Sequence, residues 1–247
     1  MTIVWNTEPQ GSEGWLAARV GVITGSRADA ARAKLAKGGQ AKTCIDYARD
    51  LAREREGGAP PPVFVSAAMR TGTEQEPIAR MRYEARTGEM VEEVGFAHTI
   101  DGRFGCSVDG LVRPHGAIEV KTMVSSDTLF SALVDGDISA YRGQCLMAIW
   151  LLTLAWIDVC LWCPDLNLLR IIRVKRDEAE IEKFEQDMLA FDRMVEGYRA
   201  ELRSVIVANR DEPWTDEGAD TFPPERHEVA DQDDAPGVAF TFEPAAA

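Results

Sequence analysis

Stretches whose apolar residues recur at helical spacing alternate along this chain with short runs that alternate in polarity or are dominated by β-branched residues. Ser12 is placed to cap a short helix over residues 14–19, ended by Gly21, and Ser26 to cap a second that reaches residue 35. A basic, glycine-containing loop over 34–42 leads to an amphipathic helix at 44–56, closed by Gly57-Gly58 and the Pro60-Pro61-Pro62 stop. Another helix is predicted over 67–86, terminated by Gly88, with a break or a fresh first turn near Thr73 because Pro77 lacks the N–H that a continuous helix needs. Strands are predicted at 90–97, 106–112 and 117–121, the last two joined by the turn Arg113-Pro114-His115-Gly116. A short helix at 128–134 and a strongly apolar one at 139–154 follow. A second hairpin pairs 156–163 with 168–174, and a long charged helix fills 177–207. Strands interleaved with helices in this way predict an α/β fold with a central mixed sheet flanked by helices.

Composition narrows the class. With 247 residues, 45% of them hydrophobic and 28% charged, the chain fits a globular domain with an appendage. Residues 145–157 form its longest apolar stretch, well short of the about 20 needed to cross a bilayer. No signal peptide is recognisable at the start, and five scattered cysteines suit a reducing compartment, so a cytoplasmic protein with no membrane partner is expected. Cys160 and Cys163 have metal-knuckle spacing, but they lie in an apolar strand with no second pair and read as core. His98, His115 and His227 have no ligand spacing.

The net charge of −14 opposes adhesion to nucleic acid through a global positive field. Its distribution changes that picture: the segment 211–247 holds 11 acidic residues and one basic, leaving 30 acidic against 26 basic in 1–210. The expected organisation is a single domain over 1–210 and an acidic, poorly ordered tail over 211–247. Any path for DNA must then be a local basic strip.

The candidate chemistry lies in Asp109 and in Glu119-Val120-Lys121. Residues two apart on a strand share a face, so Glu119 and Lys121 project together, and the preceding hairpin strand brings Asp109 beside them. Charges alternating on a strand ordinarily mark a solvated face. These sit among Val108, Gly110, Ile118 and Val120, in apolar strands where a lone carboxylate would be costly and a cation-bound pair would not. Two carboxylates and an amine are what phosphodiester hydrolysis with a hard divalent ion requires, and the Val120 carbonyl could add a ligand.

Four motifs in order carry a resemblance. Trp15-Leu16-Ala17-Ala18-Arg19 precedes Gly21-Val22-Ile23-Thr24-Gly25-Ser26, and Gly72-Thr73-Glu74-Gln75-Glu76-Pro77-Ile78-Ala79-Arg80 precedes Tyr83-Glu84 and Thr87-Gly88. Ser107-Val108-Asp109-Gly110-Leu111 with Ile118-Glu119-Val120-Lys121 comes next, then Tyr141-Arg142-Gly143-Gln144. Over residues 15–164 the chain resembles the lambda-type phage exonucleases, grouped with the YqaJ-like viral recombinase nucleases.

The resemblance implies a restriction-endonuclease-like fold and 5′-to-3′ degradation of one strand of duplex DNA to mononucleotides. The 3′-ended strand that remains would serve annealing-based recombination. It implies magnesium, replaceable by manganese and bound as two ions, on Asp109, Glu119, the Val120 carbonyl and Glu76. Lys121 would position the attacking water and Gln144 would support it or a neighbouring phosphate. Arg19, Ser26 and Ser107 would receive a DNA 5′-phosphate, and Met69 would wedge between the strands. A homotrimeric ring, a single-strand annealing partner and a phage or prophage origin in a bacterial host are implied as well. One departure is Val108, which stands where the wider superfamily places proline before the catalytic aspartate. The rival readings are an endonuclease, for which there is little room for a recognition domain, and a non-catalytic DNA-end-binding protein. An iron–sulfur exonuclease would need four clustered cysteines, which the sequence lacks.

Overall fold

Ser12, Ser66 and Ser125 cap helices in the computed structural model, which describes residues 2–61 and 66–210. Strand β1 (Ile3–Asn6) precedes helix α1 (Glu13–Ala17), whose cap Ser12 accepts from the Trp15 N–H at 3.2 Å. Strand β2 (Ile23–Thr24) runs into a 3₁₀ turn at Gly25–Arg27 and then helix α2 (Ala28–Arg32). The helix expected from Ser26 to residue 35 is therefore shorter, and Ser26 does not cap it. The Ala41 N–H returns to the Ala33 carbonyl at 3.0 Å and Lys34 bridges Gln40, which bends the chain back after one and a half turns. Helix α3 (Lys42–Arg55) forms where its periodicity places it.

Helix α4 (Ala67–Thr87) is continuous through Pro77, against the expected break. Its start is capped by the Ser66 hydroxyl, and Gly88 ends it in the left-handed conformation at φ +76°. Side chains on either side of Pro77 tie the helix to one strand: Trp162 Nε1 donates to Gln75 at 3.0 Å and the Tyr83 hydroxyl to Asp158 at 2.8 Å. Tertiary anchoring offsets the missing backbone bond.

Four short strands follow: β3 (Phe96–Thr99), β4 (Phe104–Cys106), β5 (Gly110–Val112) and β6 (Gly116–Thr122). The strand expected at 90–97 is reduced to β3 and a single bridge from Glu92 to Leu111. The strand expected at 106–112 is two strands belonging to different sheets, parted at Ser107, Val108 and Asp109. Helix α5 (Ser126–Thr128) passes into a π-helical segment, Leu129–Asp135, where an ordinary short helix was expected. Helix α6 (Ser139–Leu151), the hairpin strands β7 (Trp156–Cys163) and β8 (Leu168–Lys175), and helix α7 (Glu178–Arg210) complete the order.

The expected mixed sheet flanked by helices is divided into two sheets of four strands, ordered β1-β3-β4-β2 and β5-β6-β7-β8. Each contains one parallel pair, β2 with β4 and β6 with β7. Alternation along β6 and β7 feeds two cores. Ala117, Val159 and Leu161 join the larger one with α6 and the apolar stripe Ile181, Phe184, Met188, Phe191 and Val195 of α7. Ile118, Val120, Cys160 and Trp162 join the smaller one with Ala79 and Tyr83 of α4.

Contacts divide the chain into a unit at Met1–Ala208 and another at Asn209–Ala247. The tail expected over 211–247 lies outside the described residues. Among the described residues no helix is long and apolar enough to cross a membrane.

Candidate active site

Strand β6 is buried over its first five residues and emerges only at Lys121 and Thr122, which makes its end the natural mouth of a site. The Glu119 side chain is 3% exposed and that of Lys121 is 24% exposed, and Lys121 Nζ stands 2.8 Å from Glu119 Oε1. Helix α6 delivers Gln144 between them: its Nε2 donates to Glu119 Oε1 at 2.6 Å and its Oε1 accepts from Lys121 Nζ at 3.1 Å. Tyr141, one turn earlier, offers its ring face to the ammonium at 5.2 Å. Glu119 Oε2 is buried and meets no donor.

Asp109 stands where the chain leaves one sheet for the other. Its Oδ2 accepts from the Val120 N–H at 2.6 Å and its own N–H donates to the Ile118 carbonyl at 3.2 Å, which fixes it against the backbone of β6. Glu76 arrives from α4, where Arg80 NH2 holds its Oε1 at 2.6 Å. Burial first, and then the charge of Asp109, push Glu119 up to about 8 and Glu76 up to about 7. Burial likewise raises Asp109, against the Val120 N–H and the charge of Lys121. Burial opposes the ammonium of Lys121, yet Glu119 and Asp109 raise it. Burial thus raises all three carboxylates, and the charge of Asp109 adds to it at Glu119 and Glu76.

Among the described residues no three such side chains are already gathered as a ligand set. Asp109, Glu76 and Glu119 each have a protein donor instead. The donor chemistry nonetheless fits a hard divalent ion: the set is all oxygen, and the orphaned Glu119 Oε2 is a buried acceptor lacking a positive partner.

A second locus lies near the first. The Arg19 guanidinium lies 4.1 Å from the centre of the Trp15 ring and 5.1 Å from that of Phe96, and its NH2 donates to Ser26 Oγ at 3.3 Å. It has no acidic partner among the described residues, and burial holds its pKa below the usual arginine value, with Tyr47 and Cys106 opposing. Thr24 Oγ1 is 3.4 Å from Ser26 Oγ. Ser107 Oγ is buried without a partner, as is Trp15 Nε1. Gly25 brings the 3₁₀ turn close, since a Cβ there would touch Cys106 at 3.6 Å and Met147 at 3.4 Å. The charges of Arg19 and Glu119 both act on the Cys106 thiol, Glu119 raising it and Arg19 lowering it. A guanidinium with no acidic partner, packed on an indole whose N–H is unsatisfied, suits an anion. Met69 lies in the first turn of α4 with 51% of its surface exposed, so it is not a core residue.

Sequence reasoning missed the groups that hold α4 and the Gly21 turn in place. Asp158 is 1% exposed and receives two 2.7 Å bonds from Arg173 as well as the Tyr83 hydroxyl. Arg55 reaches Asp192 of α7 at 2.8 Å and the Gly21 carbonyl at 2.8 Å. A lone aspartate in an apolar strand was the available signal for the first, while the second joins residues too distant in the chain to be paired by eye.

Comparison with known proteins establishes the family and the fold. Residues 14–154 match the model of the YqaJ-like viral recombinase domain. The crystal structure of the alkaline exonuclease LHK-Exo from Laribacter hongkongensis is 32% identical over 80% of this chain and 100% of that one, with a TM-score of 0.70. The same enzyme solved in complex with dAMP aligns with the same values, 32% identity and a TM-score of 0.70. A phage-related exonuclease from Haemophilus somnus 129PT shares the fold at 12% identity, with a TM-score of 0.61 over 73% of this chain and 96% of that one. A search of curated proteins gives no match. The matched segment runs from α1 through α6 and contains Arg19, Glu76, Asp109, Glu119, Lys121 and Gln144, and on this ground the chain belongs to the family of YqaJ-like viral recombinase domains.

Proposed function

We propose that the protein is a divalent-cation-dependent exonuclease that degrades one strand of linear duplex DNA from its 5′ end, releasing mononucleotides and leaving a 3′-ended single strand. The observation that carries this reading is the buried Glu119 carboxylate, one oxygen of which has no partner, set among Asp109, Lys121 and Gln144. Likeness to LHK-Exo, an alkaline exonuclease solved with dAMP, supports the nucleotide chemistry. Asp109, Glu119, the Val120 carbonyl and Glu76 would hold magnesium, or manganese in its place, as two ions. Such ions supply an activated water and offset the charge that develops on phosphorus.

The chain's own residues do the rest. Lys121 holds the attacking water and places an ammonium beside the developing charge, while Gln144 fixes the orientation of Lys121 and Glu119. Arg19, Ser26 and Ser107 receive the terminal 5′-phosphate and set the next bond over the carboxylates. Met69, exposed at the start of α4, separates the strands. A homotrimeric ring would keep an acidic chain on DNA by enclosure, and a single-strand annealing protein would take the 3′-ended product.

Digestion of linear and closed circular duplexes in magnesium, with 5′-phosphate or 5′-hydroxyl ends, tests the reading. Loss of linear DNA with the circle intact, faster from phosphorylated ends, is expected. Cutting of the circle would make the protein an endonuclease, and intact DNA throughout would make it an end-binding protein.

A further inference from the structure

Arg80 stands one turn after Glu76 on α4, and its side chain is 11% exposed. One terminal nitrogen holds Glu76 Oε1 at 2.6 Å, and the other is paired with Glu93, whose side chain is 76% exposed. Its Nε is buried and meets no acceptor. A single guanidinium therefore joins an inner carboxylate of the cluster to one at the solvent boundary. Its charge also reaches Asp109, which it draws down against burial.

Two cations cannot share one half-buried carboxylate cheaply, and a buried guanidinium deprived of its partner is costly in turn. Glu93 removes the second difficulty, because it is exposed, hydrated and already in contact with the same group. We propose that Arg80 is the resident counter-cation of the carboxylate cluster, competing with a divalent ion for Glu76, and that Glu93 is the acceptor retaining Arg80 when the ion is held. The proposal rests on the reading of Glu76, Asp109 and Glu119 as a cation site. Arg80 is a positioning residue here: it touches neither substrate nor reacting atoms.

Competition gives opposite signs to two substitutions. Arg80→Gln frees Glu76 and should tighten cation binding by roughly ten- to a hundredfold, the scale of one charge-assisted hydrogen bond. Glu93→Gln leaves Arg80 with Glu76 alone and should weaken binding by about two- to fivefold, the scale of a partly exposed ion pair. The double variant should bind nearly like Arg80→Gln, because Glu93 acts mainly through the guanidinium and its direct charge on Glu76 is the smaller effect.

Calorimetric titration of the DNA-free protein with magnesium chloride alone, at constant ionic strength, measures all four affinities. The rise in Tm with magnesium is a second readout. Weaker binding by Arg80→Gln would mean that the arginine orients Glu76 for the ion, and would overturn the proposal. Equal weakening by Glu93→Gln with and without Arg80 would also overturn it, by showing a through-space effect of charge. If Arg80→Gln does not fold, Glu93→Gln still decides, since unchanged affinity there removes the acceptor role. Wild-type protein that binds no magnesium would overturn the underlying cation site as well, an outcome distinct from binding that the variants leave unmoved.

Discussion

Glu119 is an expensive residue for the apo protein to keep: 3% exposed, hydrogen-bonded through one oxygen only, and facing Asp109 and Glu76. Glu119→Gln should abolish hydrolysis, by at least about a thousandfold. It should unfold no earlier than wild type without cations, since it relieves the crowding of Glu119 with Asp109 and Glu76 and changes little volume. Nucleotide release and thermal unfolding, measured together, check this, and turnover by the folded variant would sink the site. The same groups set the pH response. Glu119 and Glu76 keep protons up to about 8 and about 7 in the folded protein, against ordinary values of 4.5, so the fold binds more protons than the unfolded chain across that window. Stability without cations should therefore fall as pH rises through it, and stabilisation by magnesium should grow. Melting curves at about pH 6 and about pH 8.5, with and without magnesium, would contradict this if the increment were the same at both. Arg19 makes the third prediction. Arg19→Ala should slow single-turnover degradation of 5′-phosphorylated duplexes by roughly ten- to a hundredfold and spare 5′-hydroxyl duplexes. Equal slowing of both would mark Arg19 as a general backbone contact with a steeper salt dependence.

Helix α4 decides where Glu76 and Arg80 stand, and its position depends on two side-chain bonds to β7 rather than on unbroken helical hydrogen bonding. Tyr83 donates to Asp158 at 2.8 Å in the smaller core, and Gln75 accepts from Trp162 at 3.0 Å. Tyr83→Phe leaves Arg173 as the remaining side-chain donor to Asp158 and should cost about 1–2 kcal/mol in urea unfolding. It should also weaken magnesium binding, because Glu76 rides on the helix that loosens. A stability loss with unchanged affinity would show that β7 does not position the carboxylate. The end of β4 has a comparable place in the design. Chain departure at Ser107, Val108 and Asp109 places a buried hydroxyl without a partner and a carboxylate bound to the backbone of β6 within three residues.

The molecule as a whole is acidic, yet most of the excess lies in the segment 211–247, where 11 acidic residues face one basic. Its sequence is rich in Asp, Glu, Pro and Ala and shows no apolar periodicity, so a chain ending at Arg210 is expected to retain magnesium-dependent hydrolysis of linear DNA. Loss of activity in a folded truncation would give that segment a catalytic or assembly role. Its charge should instead tune salt dependence, discouraging nonspecific contact with DNA or meeting a basic partner, which a salt-sensitive pull-down would separate.

Helical periodicity and the β-hairpin signals were enough to place α3, α6, α7 and the β7–β8 hairpin, because local burial patterns dominate those elements. The pairing of Glu119 with Lys121 was legible for the same reason, since a strand's two-residue period leaves no other face for them. Long-range pairing was not legible. Strands β1, β2 and β4 are two to four residues long and exist only because the sheet supplies partners, with β2 lying parallel to β4 some 80 positions away in sequence. Tertiary contacts also overrode the break at Pro77, divided the predicted sheet at Ser107, and chose Arg80 and Glu93 as companions of Glu76. A sequence of residue types specifies which chemistry is available and which face of an element presents it. Which charges end as neighbours depends on packing between elements far apart in the chain, and that only the folded structure decided.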